Sequence, residues 1–187
     1  MARDPQILWR RLDLPGHDTC RIWEDGIRQG LEGCAVWQAP EGPAHLGYLI
    51  TCDSLWRTRS VRVQGRIGAH ELTLSAHRSD EGIWHVSGEE LPDLTGLQDI
   101  DLGFTPATNT LPIRRLRASG QARADLAAVW LDPADWQLRR LPQSYQRHEA
   151  GWHYASPGFE TDLAVDADGF VTDYPGMWIK EDPNGRP

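Results

Sequence analysis

The stretch DIDLGFTPATNTLPIRRL, residues 99–116, sets two carboxylates, Asp99 and Asp101, on alternate positions of a strand-like run. Two adjacent guanidinium groups, Arg114 and Arg115, follow a few residues later. Alternate strand positions share one face, with Cα atoms about 6.6 Å apart. Carboxylates that close repel, which raises the pKa of one unless a cation sits between them. The plain reading is an ion-pair network, since arginine favours bidentate carboxylate partners. The functional reading is a pair of acceptors for sugar hydroxyls. A glycosidase-like pair needs carboxylates roughly 5–9 Å apart, but two acids on one strand rarely flank a substrate from opposite sides. A D-x-D can also hold a metal, and here no third ligand is evident.

A second polar group stands in CDSLWRTR, residues 52–59, where Asp53, Trp56, Arg57 and Arg59 surround a strand turn. Trp56 offers a stacking face and Asp53 an acceptor. Arg57 and Arg59 share a face suited to a lipid phosphate or to acids of a second copy. The plain alternative is a bulge with a surface arginine ladder. DADG at 166–169 resembles the start of a calcium loop, but Phe170 and Val171 follow where ligands are needed, so a hairpin turn is expected. Seven histidines include no HExxH; His148 and His153 are five apart with no obvious carboxylate to orient them, and a surface position is expected. Neither a serine-hydrolase elbow nor a nucleotide-binding glycine motif occurs, and no cofactor is expected.

The elements that must position these groups are mostly strands. Eighteen glycines and thirteen prolines punctuate the chain at the spacing of an all-β sandwich, barrel or large curved sheet. Thirteen strands are expected at 20–24, 34–38, 46–53, 55–67, 70–77, 82–87, 97–102, 123–131, 135–147, 151–155, 159–166, 170–174 and 177–180. One helix is expected, over roughly 110–119. Thr108, Asn109 and Thr110 are candidate caps, Pro112 suits the first turn, and Gly120 is the stop. A single helix among many strands is most readily buried by a sheet that curls around it. Its arginines would then return to the carboxylates of the preceding strand.

At 187 residues the chain fits a single domain, 1–187, large enough for a core without disulfides. Nine tryptophans, spread along its length, suit a Trp-rich β core or a stacking surface for sugars or acyl chains. The net charge of −8 argues against nucleic acid as a partner. Three widely spaced cysteines read as reduced thiols. No apolar run suits a signal peptide or a transmembrane helix, so a cytoplasmic location is expected.

The central stretch resembles the signature of the "putative glycolipid-binding" family of bacteria, formerly a domain of unknown function. LGYLITCDSLWRTRSVRV (46–63), LPQSYQRHEAGWHYAS (141–156) and LAVDADGFVTDYPGMW (163–178) extend the resemblance over most of the chain. It implies a mainly β, split-barrel-like fold: a large, strongly curved antiparallel sheet wrapped around one helix, remotely similar to lipoprotein localisation factors. It also implies a homodimer and an acidic, aromatic-rich pocket for a glycolipid or sugar-containing small molecule. The residues that match its motifs are Asp53, Trp56, Arg57, Asp99, Asp101, Thr105, Asn109, Arg114, Arg115, Tyr145, Tyr154 and Tyr174. In the resulting expectation Asp53, Asp99 and Asp101 accept hydroxyls, Trp56 and a tyrosine stack, and Arg114 and Arg115 hold the acids. A glycolipid hydrolase with a carboxylate pair and a dimeric scaffold are the alternatives.

Overall fold

A computed structural model describes residues 4–182. The first half of this range is strands: β1 (Gln6–Arg11), β2 (Gly16–Glu24), β3 (Gln29–Ala39), β4 (Gly42–Cys52), β5 (Thr58–Ile67), β6 (His70–Arg78), β7 (Trp84–Val86) and β8 (Glu89–Glu90). Then β9 (Asp99–Leu102) leads into the helix α1 (Thr110–Ser119). The chain closes with β10 (Arg123–Leu131), β11 (Leu138–His148), β12 (Gly151–Ser156), β13 (Phe159–Val165), β14 (Val171–Tyr174) and β15 (Trp178–Lys180). All fifteen strands form one sheet, in the order β8-β7-β6-β5-β4-β3-β2-β1-β15-β14-β13-β12-β11-β10-β9. Each half is a meander of hairpins, and β1 joins them by pairing with β15 from the other end of the described chain.

Every pair is antiparallel except β9 with β10, which run parallel. The sheet is the expected large antiparallel one, and its single parallel pair has a simple reason. Parallel neighbours need a crossover connection, and α1 with the turn before it is that crossover. The 99–116 stretch is thus the one βαβ unit among the described residues, and it carries the helix onto the sheet. The edge strand β9 folds back against the other half of the sheet, at the start of β5. The Thr58 N–H donates to the Gln98 carbonyl at 2.8 Å, and the Ile100 N–H donates to Thr58 Oγ1 at 3.2 Å. The free edge of β9 is thereby tied to the start of β5, which removes much of the hazard of an open edge.

Period-two patterning builds the inner face. On β4, Ala44, Leu46, Tyr48, Ile50 and Cys52 are buried while His45 and Leu49 point out. Leu111, Ile113 and Leu116 of α1 complete the same core. Six of the nine tryptophans are buried (Trp9, Trp37, Trp56, Trp84, Trp152 and Trp178), so the tryptophans serve mainly the interior. A buried side chain of that size contributes roughly 3 kcal/mol. Trp9 and Trp84 satisfy their indole N–H groups on the carbonyls of Val171 and Leu97.

The helix lies where expected, and Gly120 ends it in the left-handed region at φ 69°. Its start differs from the expectation. A 3-10 turn, Ala107–Asn109, runs directly into α1, and no side chain caps it. Because the turn's backbone satisfies the first N–H groups, Thr108 and Asn109 are released to bond to the sheet instead.

Candidate functional site

The arginines of α1 dock the helix in three directions. Arg115 forms a bidentate pair with Asp99, Nη1 to Oδ1 at 2.7 Å and Nη2 to Oδ2 at 2.5 Å, and also reaches the Trp56 carbonyl. Asp99 is 3% exposed, so its charge depends on this partner. Arg115 is held above its ordinary pKa: burial opposes the charge, and Asp99 outweighs burial. Arg114 does not reach either carboxylate of the strand, contrary to its expected role. Its guanidinium lies 4.2 Å from the centre of the Trp56 ring and donates to the Asp168 carbonyl at 2.5 Å. Arg117 donates to the Asp166 carbonyl. Gly169 makes the Arg114 approach possible: it holds φ 96°, and a Cβ there would lie 2.9 Å from Arg114 Cγ.

The 53–57 turn belongs to this same cluster. Asp53 accepts from the Leu55 and Arg57 N–H groups and from Arg57 Nε at 2.8 Å. Burial alone would raise its pKa, but these hydrogen bonds hold it below the ordinary carboxylate range. Trp56 is buried at φ 59°, a strained value for a bulky residue, with Arg114 over its ring. Arg59 pairs with Asp80. Asp53, Trp56, Arg57, Asp99, Arg114 and Arg115 therefore form one packed group that clamps α1 to β9 and to the turn before β5.

The remaining candidates gather farther along β9, around Asp101. Asp101, Asn109, Tyr154 and Tyr174 line a cavity of about 440 Å³, together with Gly103, Thr105, Trp130, Leu141, Ser156, Pro157, Phe159 and Met177. Asp101 is partly exposed, yet protein encloses its carboxylate on most sides. Thr108 Oγ1 donates to Oδ1 at 3.2 Å and Gln143 Nε2 to Oδ2 at 2.6 Å. Burial pushes its pKa up to about 6; Thr108 and Gln143 restrain the shift and the nearby Asp99 charge adds to it. Gln143 also donates to Tyr154 Oη at 3.1 Å. Tyr145 stands behind this layer, donating to Asn109 Oδ1 at 2.8 Å and packing on Tyr154 with ring centres 5.2 Å apart. Tyr174 touches the rings of Tyr154 and Phe159.

A second buried carboxylate lies one residue behind the cavity. Asp18 is 1% exposed and has no cation partner; Thr105 Oγ1 and Tyr48 Oη donate to it. Burial pushes its pKa up to about 7 against those two hydrogen bonds. Asp18 lies outside the expected strand 20–24; β2 begins at Gly16. The available signal was parity, since Asp18, Cys20 and Ile22 share the buried face of β2. Gln143 carries the same kind of signal, two positions before Tyr145 on β11. Gly33 keeps the Asp18 group intact: a Cβ there would lie 2.2 Å from Tyr48 Oη and 2.4 Å from the Thr19 carbonyl. Gly33→Ala is expected to destabilise the protein by about 1–3 kcal/mol in urea unfolding; no change would mean that Tyr48 is not held against Asp18.

His153 does have an orienting carboxylate, which corrects the sequence reading. Its Nδ1 lies 2.9 Å from Asp162 Oδ1, and the two residues are cross-strand neighbours on β12 and β13. The partner sits nine positions away, brought close only by strand pairing. The 166–169 segment is a hairpin turn in which Asp166 Oδ1 accepts the N–H groups of Asp168 and Phe170.

Residues 6–180 match the model of a family described as "Putative glycolipid-binding". The chain belongs to this family. A search of curated proteins found no match. Among solved structures, the chain is similar to a DUF1089 family protein from Pseudomonas aeruginosa, with 30% identity and a TM-score of 0.71 over 87% of this chain and 91% of that one. A β-barrel-like protein of domain family DUF1849 from Brucella abortus shares the fold, with 12% identity and a TM-score of 0.50 over 94% and 93% of the two chains. The family is thus associated here with a mainly β chain, one helix and a large curved sheet, and no helix of the described residues is long and apolar enough to cross a membrane.

Proposed function

We propose that this protein binds a glycolipid, or a related sugar-bearing amphiphile, in the cavity beside Asp101, as a non-catalytic step in glycolipid or cell-envelope metabolism. It would do so as a single domain over residues 1–187, in the cytoplasm, and as a homodimer. The observation that carries the reading is the pairing of one carboxylate, fixed by Thr108 and Gln143, with a wall of aromatic rings in a cavity of about 440 Å³. A fixed acceptor with an aromatic face beside it suits a sugar, which presents hydroxyls at its edges and C–H groups on its faces. The Tyr174 hydroxyl supplies a further polar contact. In this reading Asp101, Asn109, Tyr154 and Tyr174 meet the ligand and Tyr145 backs them. Asp53, Trp56, Arg57, Asp99, Arg114 and Arg115 brace the helix that follows Asn109.

Binding is favoured over hydrolysis by the disposition of the acids. Hydrolysis of a glycoside uses two carboxylates flanking the bond. Asp101 is the one carboxylate among the residues lining the cavity, while Asp99 is buried against Arg115.

Saturation-transfer NMR with simple glycosides tests the proposal. Ring protons of the sugar are expected to be saturated by the wild type. A hydrogen bond to a charged group is worth about 1.5–3 kcal/mol, so Asp101→Asn is expected to weaken binding roughly 10- to 100-fold. Its melting temperature should fall by no more than a few degrees. Affinity should decline as pH falls through about 6, because protonation removes the charged acceptor. A large loss of melting temperature with unchanged binding would return Asp101 to a structural role.

A further inference from the structure

We infer that the ligand of this cavity enters sugar first and leaves its apolar part outside, so that the recognised class is a glycoside whose aglycone emerges at the surface, not one whose acyl chain is enclosed. This rests on the reading above that the cavity takes a sugar-bearing amphiphile. Carriers that enclose an acyl chain need an apolar interior; here apolar side chains such as Trp130, Leu141 and Met177 line part of the wall, but the most buried lining residues are polar. The buried lining residues carry the polar groups: Thr105 is 6% exposed, Asn109 8%, Tyr154 4% and Tyr174 8%. The Asp101 carboxylate joins them, already supplied with two protein donors. The exposed lining residues are apolar: Phe159, at 39% exposure, and Pro157, both at the turn between β12 and β13.

Two physical consequences follow from that gradient. A hydrocarbon chain pushed to the floor would strip water from Asp101 and from the Tyr174 hydroxyl and return no hydrogen bond, which is costly for a charged group. A sugar replaces that water with hydroxyls. At the mouth, the Phe159 ring packs against Tyr154 and Tyr174, with centres 6.3 and 6.0 Å away. It therefore extends the aromatic wall outward to where the first carbons of an aglycone would leave the sugar. The volume of about 440 Å³ lies toward the small end of ligand pockets and suits a compact head group.

Calorimetric titration with methyl, butyl and octyl glycosides of glucose, galactose and mannose, each below its micelle concentration, tests the inference, with octanol as the chain lacking a sugar. For whichever sugar binds, the methyl glycoside is expected to bind measurably. Affinity should rise from methyl to butyl as Phe159 and Pro157 cover the first carbons, then stay within about threefold from butyl to octyl, and octanol should not compete. Phe159→Ser should abolish the methyl-to-butyl gain. Affinity that keeps rising about fourfold per methylene through octyl, with octanol competing, would mean the chain is buried and would overturn the inference while leaving amphiphile binding intact. Absence of binding by every glycoside would remove the reading beneath it, and the inference with it.

Discussion

Arg115→Ala is expected to lower the free energy of unfolding by about 3–5 kcal/mol, read from urea denaturation at neutral pH. The expectation comes from what the substitution leaves behind. Asp99 is 3% exposed and both its oxygens are held by Arg115. Without the guanidinium, a carboxylate inside the sheet has no cation, and α1 loses its direct tie to β9. The double variant Arg115→Ala/Asp99→Asn should recover part of the loss, since it removes the stranded charge as well. A change within about 0.5 kcal/mol for Arg115→Ala would show that the pair contributes nothing to the fold.

Asp18→Asn is expected to act in the opposite direction. Burial raises the folded-state pKa of Asp18 to about 7, above its ordinary 3.8. The folded protein therefore holds a proton between those values that the unfolded chain has released. Stability from this group is fully present below about pH 4 and is lost as pH rises through 7. The shift corresponds to a loss on the order of 4 kcal/mol at pH 8. Asp101, raised to about 6, contributes a slope of the same sign that ends earlier. Replacing Asp18 by Asn removes the charge while keeping an acceptor for Thr105 and Tyr48. The variant should exceed the wild type in stability at pH 8 and lose most of that advantage at pH 4.5. A flat difference between the two proteins across that range would show that Asp18 does not titrate in the folded state.

What could be seen in the sequence was what is encoded locally. The ends of α1 follow from Pro112 and Gly120, which act on their own backbones. Arg115 and Asp99 are sixteen positions apart in one βαβ unit, so their pairing could be anticipated from charge burial alone. Groups joined by the curvature of the sheet could not be. Thr105 and Asp18 are 87 positions apart, and Gln143 and Asp101 are 42 apart. Strand β1 escaped detection for the same reason. Ile7, Leu8 and Trp9 give no clean alternation, and the strand is fixed by pairing with β2 on one side and β15 on the other. At the candidate site this divided the motif residues into two groups. Asp99 and Asp101 look equivalent in D-x-D, yet one faces an arginine and the other a cavity, a difference set by Thr108 and Gln143 arriving from other elements.

The central claim is that the Asp101 cavity receives the sugar of an amphiphile. Native mass spectrometry of the protein after exposure to a bacterial lipid extract tests it most directly, with Asp101→Asn alongside. The expected result is a retained species on the wild type whose fragments include a hexose, and its loss from the variant. A bare wild-type protein, a retained lipid without sugar, or equal retention by Asp101→Asn would contradict the account.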